Sequence, residues 1–270
     1  MKKRVPRMIL LAIKQFQDPY YQGFAAQIAF YFLLSLVPII IVLSQLVGIF
    51  EVSLDFLEDM IDNYVSSDVT SILKDLLNYK PVGATNVFFI ILALWAASRA
   101  QFSMARITNY TISDGKTTGK GYFKERIRAV GTIIITLFTI AFSLIILVYG
   151  ETIVDIVFGK IVEGSVVDKL WQFLRWPIAM LLYFLMISYN YYVLPSERVP
   201  FKRILPGSTF ASVGMLLVTM LYSNYTSYIA NYDLIYGSLA TIVALLFWFY
   251  FLAWVWCLGV VFNKVWSETK

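Results

Sequence analysis

The stretch NYDLIYGSLATIVALLFWFY, residues 231–250, decides the fold class of this chain. Its last charged residue is Asp233, and no other charged residue follows until Lys264. An α-helix crosses the hydrocarbon core of a bilayer with about 20 apolar residues, so this run predicts a transmembrane helix. Small residues recur where the helix begins, at Gly237 and Ala240, and predict a face that lies close against a neighbouring helix.

The composition extends this interpretation to the whole chain. Charged residues make up 14% of the 270 residues and hydrophobic residues make up 59%, whereas about a quarter of a soluble domain is charged. The sequence therefore predicts an all-α fold, a polytopic membrane protein that forms one integral-membrane domain over residues 1–270. We expect a bundle of six transmembrane helices near 24–49, 85–108, 129–157, 172–194, 206–229 and 236–263.

The distribution of charge predicts how these helices are oriented, because Lys and Arg beside membrane segments stay in the cytoplasm. The N-terminal segment, the loop at 106–128, the loop at 198–203 and the tail from Lys264 are basic. The alternate loops are not, and the first of them, 51–80, carries seven acids and two lysines. This alternation predicts that both termini are cytoplasmic. The net charge of +5 is then expected to meet anionic lipid headgroups and not nucleic acid.

Two segments predict short amphipathic helices outside the bundle. Ile9, Ile13 and Phe16 follow a helical spacing, which favours a helix that lies on the membrane surface over a cleaved signal peptide. In the loop 51–80, apolar residues also recur at helical spacing with acids opposite them. We expect two short helices there, covering the outer mouth of the bundle.

Residue counts exclude several kinds of chemistry. The chain has no histidine, and Cys257 is its one cysteine. Triads that need histidine, histidine-ligated zinc and an intramolecular disulfide are therefore unavailable. We predict no catalytic residue, no metal site and no cofactor.

Polar residues form stripes on several predicted spans, where they require partners. Gln27, Tyr31, Ser35, Pro38 and Gln45 share about a quarter of the first helix. The stripe on the fifth helix consists of Ser208, Ser212, Thr219, Ser223 and Thr226, and Asn190 lies on the fourth helix. Such stripes either hold helices together by hydrogen bonds or line a polar path between them. The candidate pathway residues are Gln27, Tyr31, Ser35, Gln45, Arg99, Asn190, Ser212, Thr219 and Ser223.

Arg99 is the most informative single residue among these candidates. It precedes Arg106 by about two helical turns on the same face. Its side chain either extends toward the cytoplasmic headgroups or lines an inward-facing cavity, where it would attract an anionic group. Tyr236 and Ser238, at the start of the last span, are further residues whose contact with a solute stays open.

Five motifs resemble the YihY/BrkB family of bacterial inner-membrane proteins. They are AAQIAFYFLLSLVPII (25–40), WAASRAQFSMARITN (95–109), LPGS (205–208), YGSLATIVALLFWFY (236–250) and LGVVFN (258–263). The resemblance implies six helices with cytoplasmic ends in the bacterial inner membrane. It also implies that certain residues recur in the family, and we call these the family positions. They are Tyr31, Ser35, Pro38, Arg99, Asn109, Pro206, Gly207, Tyr236, Gly237, Gly259 and Asn263. Many members have an acid where this chain has Val261, which argues against proton coupling at that position.

Three function hypotheses follow, none of which specifies an oligomeric state. The first is a permease for a small solute, ion or amphiphile. The second is a non-transporting envelope component that organises lipids or proteins, and the third is an enzyme that acts on lipid. The ribonuclease label used for some family members is not expected to apply, because acid–base and two-metal cleavage lack their residues here. Membrane lipids and a small-molecule or lipid substrate are the expected partners.

Overall fold

The computed structural model describes residues 4–49, 74–75, 83–158, 164–228 and 240–269, and within these ranges the fold is all-helical, without strands. Seven helices of 13 residues or more follow one another along these ranges. They are α1 (Arg4–Phe16), α2 (Tyr20–Ile49), α3 (Ala84–Ile112), α4 (Tyr122–Phe158), α5 (Gly164–Val193), α6 (Phe201–Tyr228) and α7 (Ala240–Glu268).

Each of the six segments predicted to span the membrane overlaps one of helices α2 to α7. Among the described residues, four segments are by length and composition apolar enough to cross a bilayer, namely Tyr20–Val42, Val87–Ile112, Phe201–Tyr222 and Ile242–Glu268. Met180–Val193 in α5 is a shorter apolar helix. Most of the predicted outer helices at 51–80, and residues Tyr236, Gly237 and Ser238, lie outside the described residues.

Local sequence signals explain where α2 begins and where α3 ends. Asp18 caps α2, because its side-chain oxygen accepts a hydrogen bond from the backbone N–H of Tyr20 at 3.0 Å, and capping satisfies a donor that a helix start leaves free. At the end of α3, Asp114 and Gly115 adopt positive φ angles of 56° and 76°. The N–H of Gly115 returns to the carbonyl of Tyr110 at 2.9 Å, a turn that stops the helix. The hydroxyl of Tyr110 donates to the carboxylate of Asp18 at 2.5 Å, which links the end of α3 to the start of α2.

Helices α2 to α7 form a closed ring. Each packs against the next along the chain, and α7 returns to pack against α2. The shorter α1 contacts α7. This arrangement gives each long helix a face toward its neighbours, a face toward the middle of the ring and a face toward the surroundings.

The main apolar core lies at one end of the ring. It joins the first turns of α2 and α6 to the last turns of α3, α5 and α7, and it includes Ile28, Ile107, Leu194, Ile204 and Val261. Because alternate helices run in opposite directions, this is also the end that carries the loops 113–121 and 194–200. Those loops belong to the side of the chain that the basic residues predict to be cytoplasmic.

The outward faces of the helices carry large apolar side chains. Phe30, Phe138, Leu217 and Phe247 are each more than half exposed. Exposed apolar side chains in such number are rare on a protein surrounded by water. Lipid is the solvent that suits it.

Candidate functional site

A cavity of about 460 Å³ lies inside the ring of helices. All six helices from α2 to α7 contribute to its wall, which is mostly aliphatic and aromatic. Among the described residues that line it, none carries a charged side chain. Ligand sites in proteins commonly enclose about 300–1,000 Å³ with apolar walls and a few polar groups, so this cavity has the size and character of a binding site.

Several polar atoms in the cavity wall have no partner within the described residues. They are Oε1 of Gln101 on α3, Oδ1 of Asn190 on α5 and Nε1 of Trp256 on α7. All three side chains are at least 97% buried. A buried polar atom without a hydrogen bond costs about 1–3 kcal/mol. These three atoms are shielded even from water in the structure as it stands, so a bound molecule would pair with these two acceptors and one donor once the side chains turn toward the cavity.

Asn190 also joins two walls of the cavity. Its side-chain nitrogen donates to the hydroxyl of Thr136 on α4 at 3.3 Å and to the carbonyl of Met186 at 2.8 Å. Thr136 in turn donates to the carbonyl of Thr132 at 2.9 Å. These bonds fix the amide of Asn190 in the wall and leave its oxygen unpartnered.

Of the predicted pathway residues whose side chains are described, the structure brings two, Ser35 and Asn190, to the cavity. Ser35 is fully buried, and its hydroxyl donates to the carbonyl of Phe32 at 3.0 Å. Gln27 and Gln45 are partly buried on α2 and lie outside the lining. The side chain of Ser223 is outside the described part of the chain.

The polar residues of the α6 stripe whose side chains the structure describes are satisfied within their own helix. Ser212 donates to the carbonyl of Ser208 at 2.7 Å, and Thr219 donates to that of Met215 at 2.9 Å. Thr219 also accepts a hydrogen bond from the indole of Trp248 on α7 at 3.3 Å. Neither Ser212 nor Thr219 lines the cavity, so this stripe contributes to packing in the described structure.

Arg99 and Tyr31 lie together, away from the cavity lining. The guanidinium carbon of Arg99 lies 5.7 Å from the centre of the Tyr31 ring and 5.1 Å from that of Trp95. Cation–π attraction acts at such distances. The side chain of Arg99 is partly exposed, so it lies at the outer surface of the bundle and not in its interior.

The family positions on α6 and α7 meet in a close helix contact. A methyl group added to Gly207 would overlap the carbonyl oxygen of Gly259 and the side chain of Asn263. Helix α6 continues through Pro206, as α2 continues through the buried Pro38. The absence of side chains at the two glycines lets the backbones approach, as small residues do in membrane bundles.

A second group of polar residues ties the loops together at the end of the ring that holds the main core. Asn109 on α3 accepts from the backbone N–H of Ser196 at 2.7 Å and donates to the carbonyl of Thr118 at 3.2 Å. Glu125 on α4 is 3% exposed and accepts from the hydroxyl of Ser196 at 2.7 Å and from the N–H of Lys120 at 2.6 Å. Because these hydrogen-bonding groups are paired, we interpret the cluster as structural. It is called the loop joint below.

Sequence reasoning missed Gln101, Thr136 and Trp256, three of the polar residues that line the cavity. Gln101 lies two residues after Arg99, and its signal was a second uncompensated polar side chain within the same apolar helix. Thr136 and Trp256 carry no comparable signal, because a threonine can satisfy its hydroxyl within its own helix and a tryptophan is ordinary in a membrane span.

Within the described residues, no group of three or more His, Cys, Asp or Glu side chains could hold a metal ion. The chemistry that the cavity offers is hydrogen bonding and apolar contact. It can bind a molecule by these contacts, and the described part of its wall contains no ionised group to attract or repel charge.

Comparison with known proteins identifies relatives over the length of the chain. The family model described as Virulence factor BrkB matches residues 12–270. A ribonuclease-like protein YfkH of Bacillus subtilis is 28% identical over 255 residues, which cover 92% of this chain and 91% of that protein.

Membrane proteins named UPF0761 are also similar to this chain. One from Chlorobium phaeobacteroides is 29% identical over 247 residues, covering 86% of this chain. The match spans only half, 50%, of the length of that relative. One from Pseudoalteromonas translucida is 38% identical over 65 residues, covering 24% of this chain and 21% of the relative. No solved structure matches.

Proposed function

This chain belongs to the BrkB family of membrane proteins, and we propose that it acts as a permease for an uncharged amphiphile that occupies the cavity within the ring of helices. The observation that carries the proposal is the pairing of an apolar wall with the unpartnered atoms of Gln101, Asn190 and Trp256.

The chemistry of the wall selects the class of substrate. An inorganic ion would lose its hydration in the cavity, where no opposite charge on the described lining compensates the cost. An apolar chain is favoured by the aliphatic wall. A polar group that both donates and accepts hydrogen bonds would pair with the two oxygens and the indole N–H once those side chains turn toward it. A molecule that combines these two parts is an uncharged amphiphile.

The proposal includes the arrangement in the membrane. Helices α2 to α7 supply the six spans, both termini face the cytoplasm of the bacterial cell, and α1 lies on the inner surface of the cytoplasmic membrane. Support comes from the alternating charge of the loops and from the exposed side chains of Ile9, Leu10 and Ile13 on α1, each at least half exposed. Membrane lipids are then the first partners of the protein.

The ribonuclease-like name of the Bacillus relative does not provide a better function. Hydrolysis of a phosphodiester needs a general base and acid or bound metal ions. The sequence has no histidine, and the described acids form no metal-binding group. Even a binding role for RNA would leave the apolar cavity unexplained.

The proposal is tested with purified protein in liposomes. The probes are a radiolabelled alkyl glucoside, whose head group is uncharged and hydrogen-bonding, together with chloride and potassium ions. We expect entry of the glucoside above the rate in protein-free liposomes and no entry of either ion. The absence of glucoside flux through protein that is folded would contradict a permease and favour the non-transporting envelope component.

A pair of adjacent substitutions tests the route through the cavity. Ser35→Phe places a bulky ring in the wall, whereas Leu34→Phe places the same ring on a side chain that is 45% exposed. We expect the first to reduce glucoside flux to the protein-free rate and the second to leave it unchanged. Equal flux through both variants would show that the cavity is not the route.

A further inference from the structure

A pair of arginines lies outside the cavity, where α3 and α4 meet beside α2. The guanidinium of Arg126 on α4 donates to the carbonyl oxygen of Trp95 on α3 at 3.2 Å. Arg99, one helical turn after Trp95, has its guanidinium 5.1 Å from the Trp95 ring. The two cations thus share one neighbour and approach the same part of the surface.

Neither arginine has a negative partner in the part of the chain that the structure describes. Within the described residues, the salt bridges involve Lys120 and Lys264 and reach Glu197, Asp114 and Glu268, so no carboxylate lies within contact distance of Arg99 or Arg126. Glu125 precedes Arg126 in the chain, but its Oε1 accepts from Ser196 and Lys120, and the described salt bridges do not include it. Two like charges without a counter-ion repel each other, and a bound anion removes that cost.

Both arginines also retain hydrogen-bond donors that are not in use. Nε of Arg99 and Nη1 of Arg126 are inaccessible to solvent and have no partner in the described structure. Burial lowers the pKa of the Arg126 guanidinium below its ordinary value, and the charge of Arg99 acts in the same direction. The place is therefore costly for a cation as it stands, and an oxyanion that approaches the partly exposed guanidinium groups would lower that cost.

The surroundings of the pair are those of a membrane interface. Trp95 and Tyr122 are about half exposed, and Phe123 and Ile127 are more than 70% exposed. Tyr122 packs against Phe102, with ring centres 5.3 Å apart, and the guanidinium of Arg126 lies 5.9 Å from the Phe102 ring. Tryptophan and tyrosine concentrate at the level of lipid headgroups, where acyl chains can lie against the exposed apolar side chains.

We propose that Arg99 and Arg126 form a binding site for the phosphate group of a membrane phospholipid. Arginine presents a planar fork of donors that matches phosphate oxygens, and charge-assisted bonds of this kind are stronger than neutral ones. Basic pockets between membrane helices on the cytoplasmic side are suited to anionic headgroups. The acyl chains lie on the apolar surface formed by Phe123 and Ile127. The site is separate from the cavity and does not depend on the permease function.

Native mass spectrometry of the full chain, released from detergent, tests the site. Three probes are added separately: phosphatidylglycerol, a glucosyl diacylglycerol that lacks phosphate, and inorganic phosphate. The variant Arg99→Gln/Arg126→Gln removes both charges and keeps polar side chains. The control Lys116→Gln/Lys124→Gln removes two charges from exposed residues on the same side of the bundle.

We expect the arginine variant to lose about tenfold in affinity for phosphatidylglycerol, a change of about 1.4 kcal/mol, while the lysine control binds as the unaltered protein does. The glucolipid is expected to bind equally to all three proteins, including any share that enters the cavity. Equal binding of phosphatidylglycerol to all three overturns the proposal. A loss of glucolipid binding in the arginine variant also overturns it, because phosphate would not be what the site recognises.

Two further measurements keep the test decisive. Competition with millimolar inorganic phosphate separates the sources of the anion: displacement of the lipid assigns the site to free phosphate and overturns the lipid. If the arginine variant does not fold, the unaltered protein still decides the test. We expect it to bind phosphatidylglycerol more tightly than the glucolipid, and equal affinities would overturn the proposal. The milder variant Arg99→Lys/Arg126→Lys keeps the charge but loses the fork, and we expect its affinity to fall between those of the other two.

Discussion

The side-chain oxygen of Asn263 on α7 accepts a hydrogen bond from the backbone N–H of Gly207 on α6 at 2.6 Å. The bond crosses the helix contact at which Gly207 and Gly259 lie close together. Two positions that the family resemblance indicated from separate motifs thus form a single contact. Because the contact has no space for a side chain, it fixes the distance between the two helices.

Substitution of Gly207 tests how strictly this distance is set. Gly207→Ala adds a methyl group that overlaps the carbonyl oxygen of Gly259 and the side chain of Asn263, so α6 and α7 must separate. Overpacking of this kind costs about 1–3 kcal/mol. We expect a lower midpoint in thermal unfolding of the detergent-solubilised protein.

The matched control is Gly131→Ala on α4, where a methyl group meets nothing within 4 Å. Alanine is favoured over glycine in a helix by about 1 kcal/mol, so this variant is expected to be as stable as the unaltered protein or slightly more stable. Equal destabilisation by both substitutions would contradict the close contact.

The helices were predictable from the sequence because their signal is additive. Every apolar residue in a span contributes to its transfer into lipid, and every loop lysine or arginine contributes to orientation. The predicted bounds were less accurate than the existence of the helices. The segments predicted at 129–157 and 172–194 begin well inside α4 and α5 and end within one residue of their last residues. Hydropathy marks the part of a helix that suits lipid, whereas backbone hydrogen bonds continue into the polar flanks.

The candidate site was less predictable, because a polar stripe gives the direction of side chains but not their partners. Ser212 was indistinguishable in sequence from a pathway residue, yet its hydroxyl is satisfied by a carbonyl one turn earlier. Ser35 makes a similar local bond and still lines the cavity. What separates them is the rotation of each helix against its neighbours, which depends on contacts between residues far apart in the chain.

The buried Glu125 is expected to contribute strongly to stability. Glu125→Gln exchanges one acceptor oxygen for a donor, and the two donors that now bind the carboxylate, on Ser196 and Lys120, face a neutral group. Hydrogen bonds to a charged group contribute about 1.5–3 kcal/mol each. We expect a clear loss of thermal stability in the same detergent assay.

Glu197→Gln provides the comparison at a nearby exposed carboxylate. Glu197 pairs with Lys120 at 3.6 Å, and both side chains are 63% exposed. Exposed ion pairs contribute about 0–1 kcal/mol, so little change is expected. If Glu197→Gln destabilised the protein as much as Glu125→Gln, the loop joint would not depend on the buried carboxylate.

The proposed orientation can be tested by labelling introduced cysteines. Cys257 is fully buried, so it contributes little background. Lys116→Cys lies in the loop after α3, and Thr85→Cys lies at the opposite end of that helix; both native side chains are exposed. We expect a membrane-impermeant maleimide to label the second in intact cells and the first only after permeabilisation. Labelling of Lys116→Cys from outside would reverse the orientation.

Two buried asparagines allow the cavity and the loop joint to be tested independently, because Asn190 lies in the first and Asn109 in the second. Both amide atoms of Asn109 are bonded, to Ser196 and Thr118, whereas the oxygen of Asn190 has no partner in the described residues. Asn109→Leu strands the groups that its amide satisfied, at about 1–3 kcal/mol for each buried one. Asn190→Leu removes the hydrogen bonds that the amide nitrogen donates, and the one between helices contributes about 0.6 kcal/mol to stability. It also removes the amide oxygen, whose loss costs little because that oxygen was already unsatisfied.

We therefore expect opposite results from these two variants in two assays. Asn109→Leu lowers the unfolding midpoint, and the protein that remains folded transports the alkyl glucoside at the normal rate. Asn190→Leu changes the midpoint little but reduces glucoside flux several-fold, because the substrate loses a hydrogen-bond acceptor in the wall. If Asn190→Leu left flux intact, the unpartnered oxygen would have no part in binding, and the substrate class argued from the cavity wall would be wrong.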